Sequence, residues 1–211
     1  MFGLRKRERA IVDYDFTVGD GWHGVELHRG TDPRWAEDLA GDVLDARAAF
    51  GDAGRRGLVS ELRAVQARLV GADEPGVLAA VMISVDGAPR VTCAAAWRVT
   101  NRQDGETPES YRTLLTAGDL FSAPGERTDV VTTWRATIDI GVAVGAYNMI
   151  IYSDPGTAVE RTEARTVIAV FIAQSSQILE FVFTTQDHAT YEDLLELSMD
   201  SVASLTVELA K

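Results

Sequence analysis

Four side chains have the chemistry of a soft metal ligand or a nucleophile: Cys93, His23, His28 and His188. A structural zinc site needs a closely spaced set of Cys and His ligands, and no such spacing joins these four. His23 and His28 are five apart, so on a strand they point to opposite faces. They read as surface or half-buried histidines, and no metal or cofactor is assigned. Cys93 alternates with Val91, Ala95, Trp97 and Val99, the pattern of a small core residue on a strand. A catalytic nucleophile needs a base and a group that orients the base, and the chain has no Gly-x-Ser-x-Gly elbow.

Two further stretches invite a ligand. "DYDFTVGD" (13–20) offers Asp13, Asp15 and Asp20 as for calcium, but Val18 stands where the loop needs glycine and Gly24 where it needs a bidentate glutamate. "GDAGRRG" (51–57) resembles a phosphate cradle with Arg55 and Arg56 as anion ligands. A dinucleotide fingerprint follows a strand and opens a helix. This stretch follows a predicted helix, so a turn explains its glycines. No residue set reads as an active site, and the expectation is a non-enzymatic domain.

The totals bound the partners. The 211 residues are 46% hydrophobic, enough for a real core, and the net charge is −12. Phosphate recognition needs clustered Lys and Arg, so nucleic acid is excluded as the main partner, and anionic lipid is disfavoured. The single cysteine precludes an internal disulfide. Arg5, Lys6, Arg7 and Arg9 precede too short an apolar run for a signal peptide, and no run approaches the length of a membrane span. The expectation is a cytoplasmic monomer or homodimer.

The elements that would position any site follow from periodicity. Residues 1–10 read as a flexible basic tip and 11–211 as one α+β domain. Residues 11–28 read as a hairpin turning at Asp20-Gly21, with Trp22 near the turn. A helix spans 31–51, capped by Asp32 with Pro33 at its first position. Trp35, Leu39, Val43, Ala46 and Phe50 form its stripe, and Gly51 ends it. A second helix covers about 55–70 on Leu58, Leu62, Val65 and Leu69, stopping at Gly71. The "GDAG" joint makes the two a helical hairpin.

Strands then come in pairs: 77–85 with 90–99 about Asp86-Gly87, 129–140 with 142–152, and 166–174 with 177–185 about Ser175-Ser176. The connection 100–126 holds a short helix, with Thr107 as cap, Pro108 at the start, and Tyr111, Leu114 and Leu115 facing inward. Asp154-Pro155-Gly156 opens a polar loop. Strand 129–140 has one wet face, with Thr133, Arg135, Thr137 and Asp139 opposite Val130, Trp134, Ala136, Ile138 and Ile140. Strands 142–152 and 166–174 are apolar on both faces, so helices must cover the sheet above and below.

A closing helix spans 190–209, with Thr190 and Asp193 as a capping box. Tyr191, Leu194, Leu195, Ser198, Val202, Leu205 and Leu209 form its apolar stripe. Glu192, Asp193, Glu196 and Asp200 lie on its other side. Seven acids against one base between 180 and 211 give this segment half the net charge. That acidic face is a solvated back or a docking face for a basic protein partner.

"FTVGDGW" (16–22) is similar to the opening strand and Gly-Trp turn of the PsbP-like superfamily. "EFVFTTQDHATYEDLLELSMDSVASL" (180–205) is similar to its closing strand and helix, with Ser204 near the usual late serine. That group holds a photosystem II extrinsic protein, a Ran-binding import factor and small bacterial proteins of unknown role. The resemblance implies an antiparallel sheet of about six to eight strands sandwiched by helices, with a long C-terminal helix packed on the sheet. It also implies a binding or accessory role. The competing fold is the START-like helix-grip, whose last helix closes a curved sheet over a small apolar ligand.

Overall fold

A computed structural model describes residues 8–27, 34–45, 50–71, 76–117, 126–153, 160–189 and 194–211. The chain divides into two compact units, residues 1–18 with 97–211, and residues 19–96. Its class is α+β, with four helices and nine strands among the described residues.

The 19–96 unit holds β2 (Trp22–Gly24), α1 (Trp35–Leu44), α2 (Gly51–Gly71), β3 (Leu78–Ser84) and the first part of β4 (Arg90–Asn101). β2 pairs antiparallel with β3, and β3 neighbours β4. α1 presents Ala36, Ala40 and Leu44 to the same core as Leu58 and Leu62 of α2 and Val81 of β3. Gly87 takes φ +83 in the β3–β4 turn, as an Asp-Gly turn requires. Cys93 is buried.

Three expectations here are corrected. Gly51 does not end α1; it opens α2, with Asp52 in the first turn, where a negative charge suits the helix dipole. The "GDAG" joint is therefore helix. Gly54 is small because a Cβ there would come within 3.2 Å of Phe50 and Pro89. The buried stripe of α1 is also rotated: Trp35, Ala36, Ala40, Gly41 and Leu44 are buried, while Leu39 and Val43 are half-buried at its margin. Asp32, Pro33 and Ala46 lie outside the described residues.

The 1–18/97–211 unit holds β1 (Ile11–Asp15), the end of β4, α3 (Pro108–Ala117), β5 (Glu126–Ile138) and β6 (Gly141–Ser153). It continues with β7 (Glu160–Ile172), β8 (Gln177–Thr185), α4 (Leu194–Ala203) and β9 (Thr206–Leu209). Its sheet runs β4-β8-β7-β6-β5, and β1 pairs separately with β9. With β4 counted once, β2 to β8 are seven strands, within the expected six to eight, beside the separate two-stranded pair of β1 and β9.

β5–β6, β6–β7 and β7–β8 are antiparallel. Glu163 to Ile172 of β7 are buried without a break, so this strand is dry on both faces. Tyr111 and Leu115 of α3 pack on one face, over Val144, Ala146, Val167, Ala169 and Ile178. The alternate residues Ile168, Val170, Phe181 and Phe183 are buried on the other, and α4 packs against β7 and β8. β5 keeps its wet face, with Arg135, Thr137 and Asp139 exposed and Trp134, Ala136, Ile138 and Ile140 half-buried.

Gly145 marks one close approach. It lies opposite Trp134, whose indole crosses it so closely that a Cβ would sit 2.3 Å from Trp134 Cζ2.

Both ends of the chain depart from expectation. Residues 11–28 are not a hairpin: β1 pairs with β9 and β2 with β3. After Asp15 the chain leaves the ladder because Phe16 is drawn into edge-on contacts with Trp97 at 5.0 Å and Phe181 at 5.1 Å. The closing helix is shorter than 190–209 and is not the last element. It ends at Ala203, and Ser204 Oγ accepts the Thr17 N–H at 2.8 Å. Thr206–Leu209 then pairs antiparallel with β1; β-branched Thr206 and Val207 suit a strand. Residues 190–193, with Thr190 and Tyr191, and Asp154-Pro155-Gly156 lie outside the described residues. Leu114, expected inward, is 48% exposed.

Candidate functional site

α3 is held on the sheet from both ends of its contact surface. Thr107 caps it as expected, Oγ1 accepting the Ser110 N–H at 3.1 Å. From its first turn, the Tyr111 hydroxyl donates to Glu180 Oε1 of β8 at 2.5 Å. Arg98 Nε of β4 donates to Glu180 Oε2 at 2.7 Å. On the side toward β5, Glu109 Oε1 lies 3.1 Å from Arg135 Nε. Burial, with the Glu180 charge next, holds the Tyr111 phenol proton far above its ordinary range. The hydroxyl is therefore a fixed donor, and both Glu180 oxygens are engaged. This arrangement fixes α3 rather than presenting a poised acid or base.

A second polar cluster is more deeply placed, where β6 meets β7. Glu163 is 1% exposed and Arg165 9%. Glu163 Oε1 accepts from Arg165 Nη2 at 3.0 Å and from the Tyr152 hydroxyl at 3.0 Å. Arg165 Nη2 also donates to the Tyr152 oxygen at 2.9 Å. Asn148 lies opposite Arg165 in the register. Its Oδ1 is buried without a hydrogen-bond partner among the described residues, as are Thr128 Oγ1, Thr166 Oγ1 and Trp134 Nε1. The sequence reading missed this cluster because it began the strand at 166. Glu163 and Arg165, two apart, share one face as soon as the strand begins at Glu160.

The third feature is an edge. β5 ends the strand order, and among the described residues no strand pairs with its outer side. It is 13 residues long. Alternate N–H and C=O groups of such a strand point away from the sheet and can accept another strand. A register shift between Thr128 and Val130 marks a bulge. Beyond it runs Val130-Val131-Thr132-Thr133-Trp134, β-branched and aromatic, uncharged and free of proline.

The residues singled out from sequence do not converge. Arg55 and Arg56 are exposed in the first turns of α2. Arg55 Nη1 lies 3.7 Å from Asp45 Oδ1, and its Nη2 donates to the Glu37 carbonyl at 3.3 Å, so one carboxylate and one carbonyl already engage it. Glu196 and Asp200 are exposed one turn apart on α4, while Glu192 and Asp193 lie outside the described residues. His188 Nε2 is 3.0 Å from Thr162 Oγ1. His23 is half-buried in β2, and His28 is outside the described residues. Among the described residues no three of His, Cys, Asp and Glu group to hold a metal, and no helix is long and apolar enough to cross a membrane.

No family model matches the chain, and no curated protein matches it. The solved structures similar to it include two from bacteria. One is PA94 from Pseudomonas aeruginosa, a protein of unknown function, at 15% identity and TM-score 0.39, over 61% of this chain and 82% of that one. The other is the solution structure of cyanobacterial PsbP from Synechocystis sp. PCC 6803, at 12% identity and TM-score 0.44, over 99% and 97%.

Proposed function

We propose that the protein is a non-enzymatic interaction module that binds a protein partner by strand addition at β5. The observation that carries this reading is the length of the open edge: 13 residues at the end of the strand order. Strand addition derives affinity from main-chain hydrogen bonds and selectivity from alternate side chains. The clamp from Glu180 through α3 to Arg135 keeps the adjoining surface rigid, which lowers the ordering cost of binding. The acidic side of α4, at Glu196 and Asp200, is the rival docking surface for a basic partner.

The test is a photo-crosslinking amino acid placed at Thr132, at Asp200, or at Arg56 as a control, in the producing cells. Adducts above control at Thr132 support the reading. Adducts at Asp200 alone move the contact to α4, and control-level adducts at both sites overturn the module.

A second reading, a binder of a small apolar ligand, is favoured by Trp134 Nε1 and Thr166 Oγ1. Both are buried without partners among the described residues. They lie on one sheet face, since Trp134 is opposite Gly145 and Thr166 opposite Tyr147. Those two groups would anchor the polar end of the ligand. Native mass spectrometry of the freshly isolated protein should then show a bound lipid-sized mass that Trp134→Phe weakens; a bare chain mass rules this reading out.

A further inference from the structure

We infer that β9 is a releasable strand: it opens from β1 as a unit while α4 and the sheet stay closed, and the Asp13–Glu208 pair sets how readily it does so. Burial changes abruptly where β9 begins. Val202 and Leu205 are buried, so the chain is anchored in the core up to Leu205. The four residues of β9 then alternate between exposed and half-buried, and β1 has no buried residue either. A two-stranded ribbon that buries no apolar face is marginally stable in water.

The two strands are held differently. β1 is tied down at both ends. The Arg9 N–H donates to the Gln174 carbonyl at 2.9 Å and the Ile11 N–H to Gln177 Oε1 of β8 at 2.7 Å. Beyond its other end, Phe16 packs edge-on against Trp97 and Phe181. β9 pairs with β1 alone among the described strands. Its release breaks that ladder, the Ala210 N–H bond to the Ala10 carbonyl that extends it, and the Thr206 hydroxyl bond to the Asp15 carbonyl. Little apolar burial is lost with them.

The register sets like charges within this ladder. Asp13 lies directly opposite Glu208, and Asp15 lies opposite Thr206 on the same face. Glu208 therefore faces one carboxylate directly and a second diagonally, and all three residues are exposed. Like charges directly opposite destabilise a strand pair. The half-buried pairs Tyr14–Val207 and Ile11–Leu209 supply the attraction. Opening relieves the repulsion and bares one side of β1, whose N–H and C=O groups can then take another strand.

The test is amide hydrogen exchange of the full chain under native conditions. The β9 amides and the β1 amides bonded to them should exchange through one shared opening, at least about a hundredfold faster than the amides of β8. Those of α4 should stay slow. Glu208→Lys turns a repulsive pair attractive and should slow exchange of the ribbon up to about tenfold. Asp13→Lys should do the same. The two changes together set like charges opposite again and should give back most of the gain. Glu160→Lys, at the start of β7, changes the net charge equally and should leave the ribbon as it was.

Ribbon amides as slow as those of β8 overturn the release. Exchange shared by β9 and α4 overturns it too, because the opening unit is then larger than the strand. Exchange that rises only toward Leu209, with β1 still protected, marks a frayed terminus and overturns the unit. Charge variants without effect, or a double variant as slow as the single ones, overturn the role of the Asp13–Glu208 pair.

Discussion

The Tyr111 hydroxyl meets Glu180 Oε1 at 2.5 Å, joining a helix that follows β4 to a strand almost seventy residues later. Tyr111 is 4% exposed, so its proton is held by burial first and by the neighbouring carboxylate second. The contact sets where α3 lies, and through Glu109 and Arg135 it reaches the strand proposed to bind.

This contact predicts an alkaline signature. A free phenol ionises near pH 10. Because the folded-state value is raised, the stabilisation is complete below about pH 10 and is lost as pH climbs from there toward the folded value. Tyr111→Phe should lower stability by about 1–3 kcal/mol at pH 8, and the gap from native should narrow at pH 11. Urea unfolding of both chains at the two pH values measures it. Tyr14, also raised by burial, titrates in both chains and cancels in the comparison. A gap that does not change with pH would refute the assignment.

The Glu163–Arg165 pair predicts a large asymmetry. Arg165→Leu removes the guanidinium that donates to the buried Glu163 carboxylate, and should cost about 3–5 kcal/mol. Glu163→Leu with Arg165→Leu should recover much of that loss, since both charges of the pair are then removed together. A double-mutant cycle by chemical denaturation reads both effects. Additive losses would mean that the two residues are stabilised independently.

Gly145 predicts a steric limit. A methyl group there meets the Trp134 ring and lies 2.8 Å from the Val167 carbonyl oxygen. Gly145→Ala should destabilise by about 2–3 kcal/mol through overpacking and shift the Trp134 fluorescence. Trp134→Leu in the same chain should relieve part of the loss. A neutral Gly145→Ala would show that the indole does not cross that glycine.

Local chemistry carried much of the fold. The Asp86-Gly87 turn, the Thr107-Pro108 start of α3 and the dry run of β7 are written in adjacent residues, and the elements form there. β8 was expected at 177–185 and spans those residues. The end of α4 was not legible. An apolar stripe continues through Leu205 and Leu209 at helical spacing, and only pairing with β1, nearly two hundred residues earlier in the chain, favours strand from Thr206. For the same reason, the false hairpin at 11–28 paired two strands whose real partners are distant.

The candidate site divides the same way. The alternation of β5 was legible, and its edge position was not, because strand order depends on pairings far apart in sequence. The buried Glu163–Arg165 pair was hidden because charged residues read as loop until a partner strand supplies Asn148 opposite Arg165 and the Tyr152 hydroxyl that donates to Glu163.

Amide hydrogen exchange along β5 tests the open edge most directly. In dilute, free protein, alternate amides of Val130–Trp134 should exchange fast, while those of β6 and β7 are protected. In the Thr132-crosslinked complex, the fast set should become protected and β7 should stay unchanged. If all five amides are already slow in the free protein, the edge is covered within the chain, and the strand-addition account is wrong.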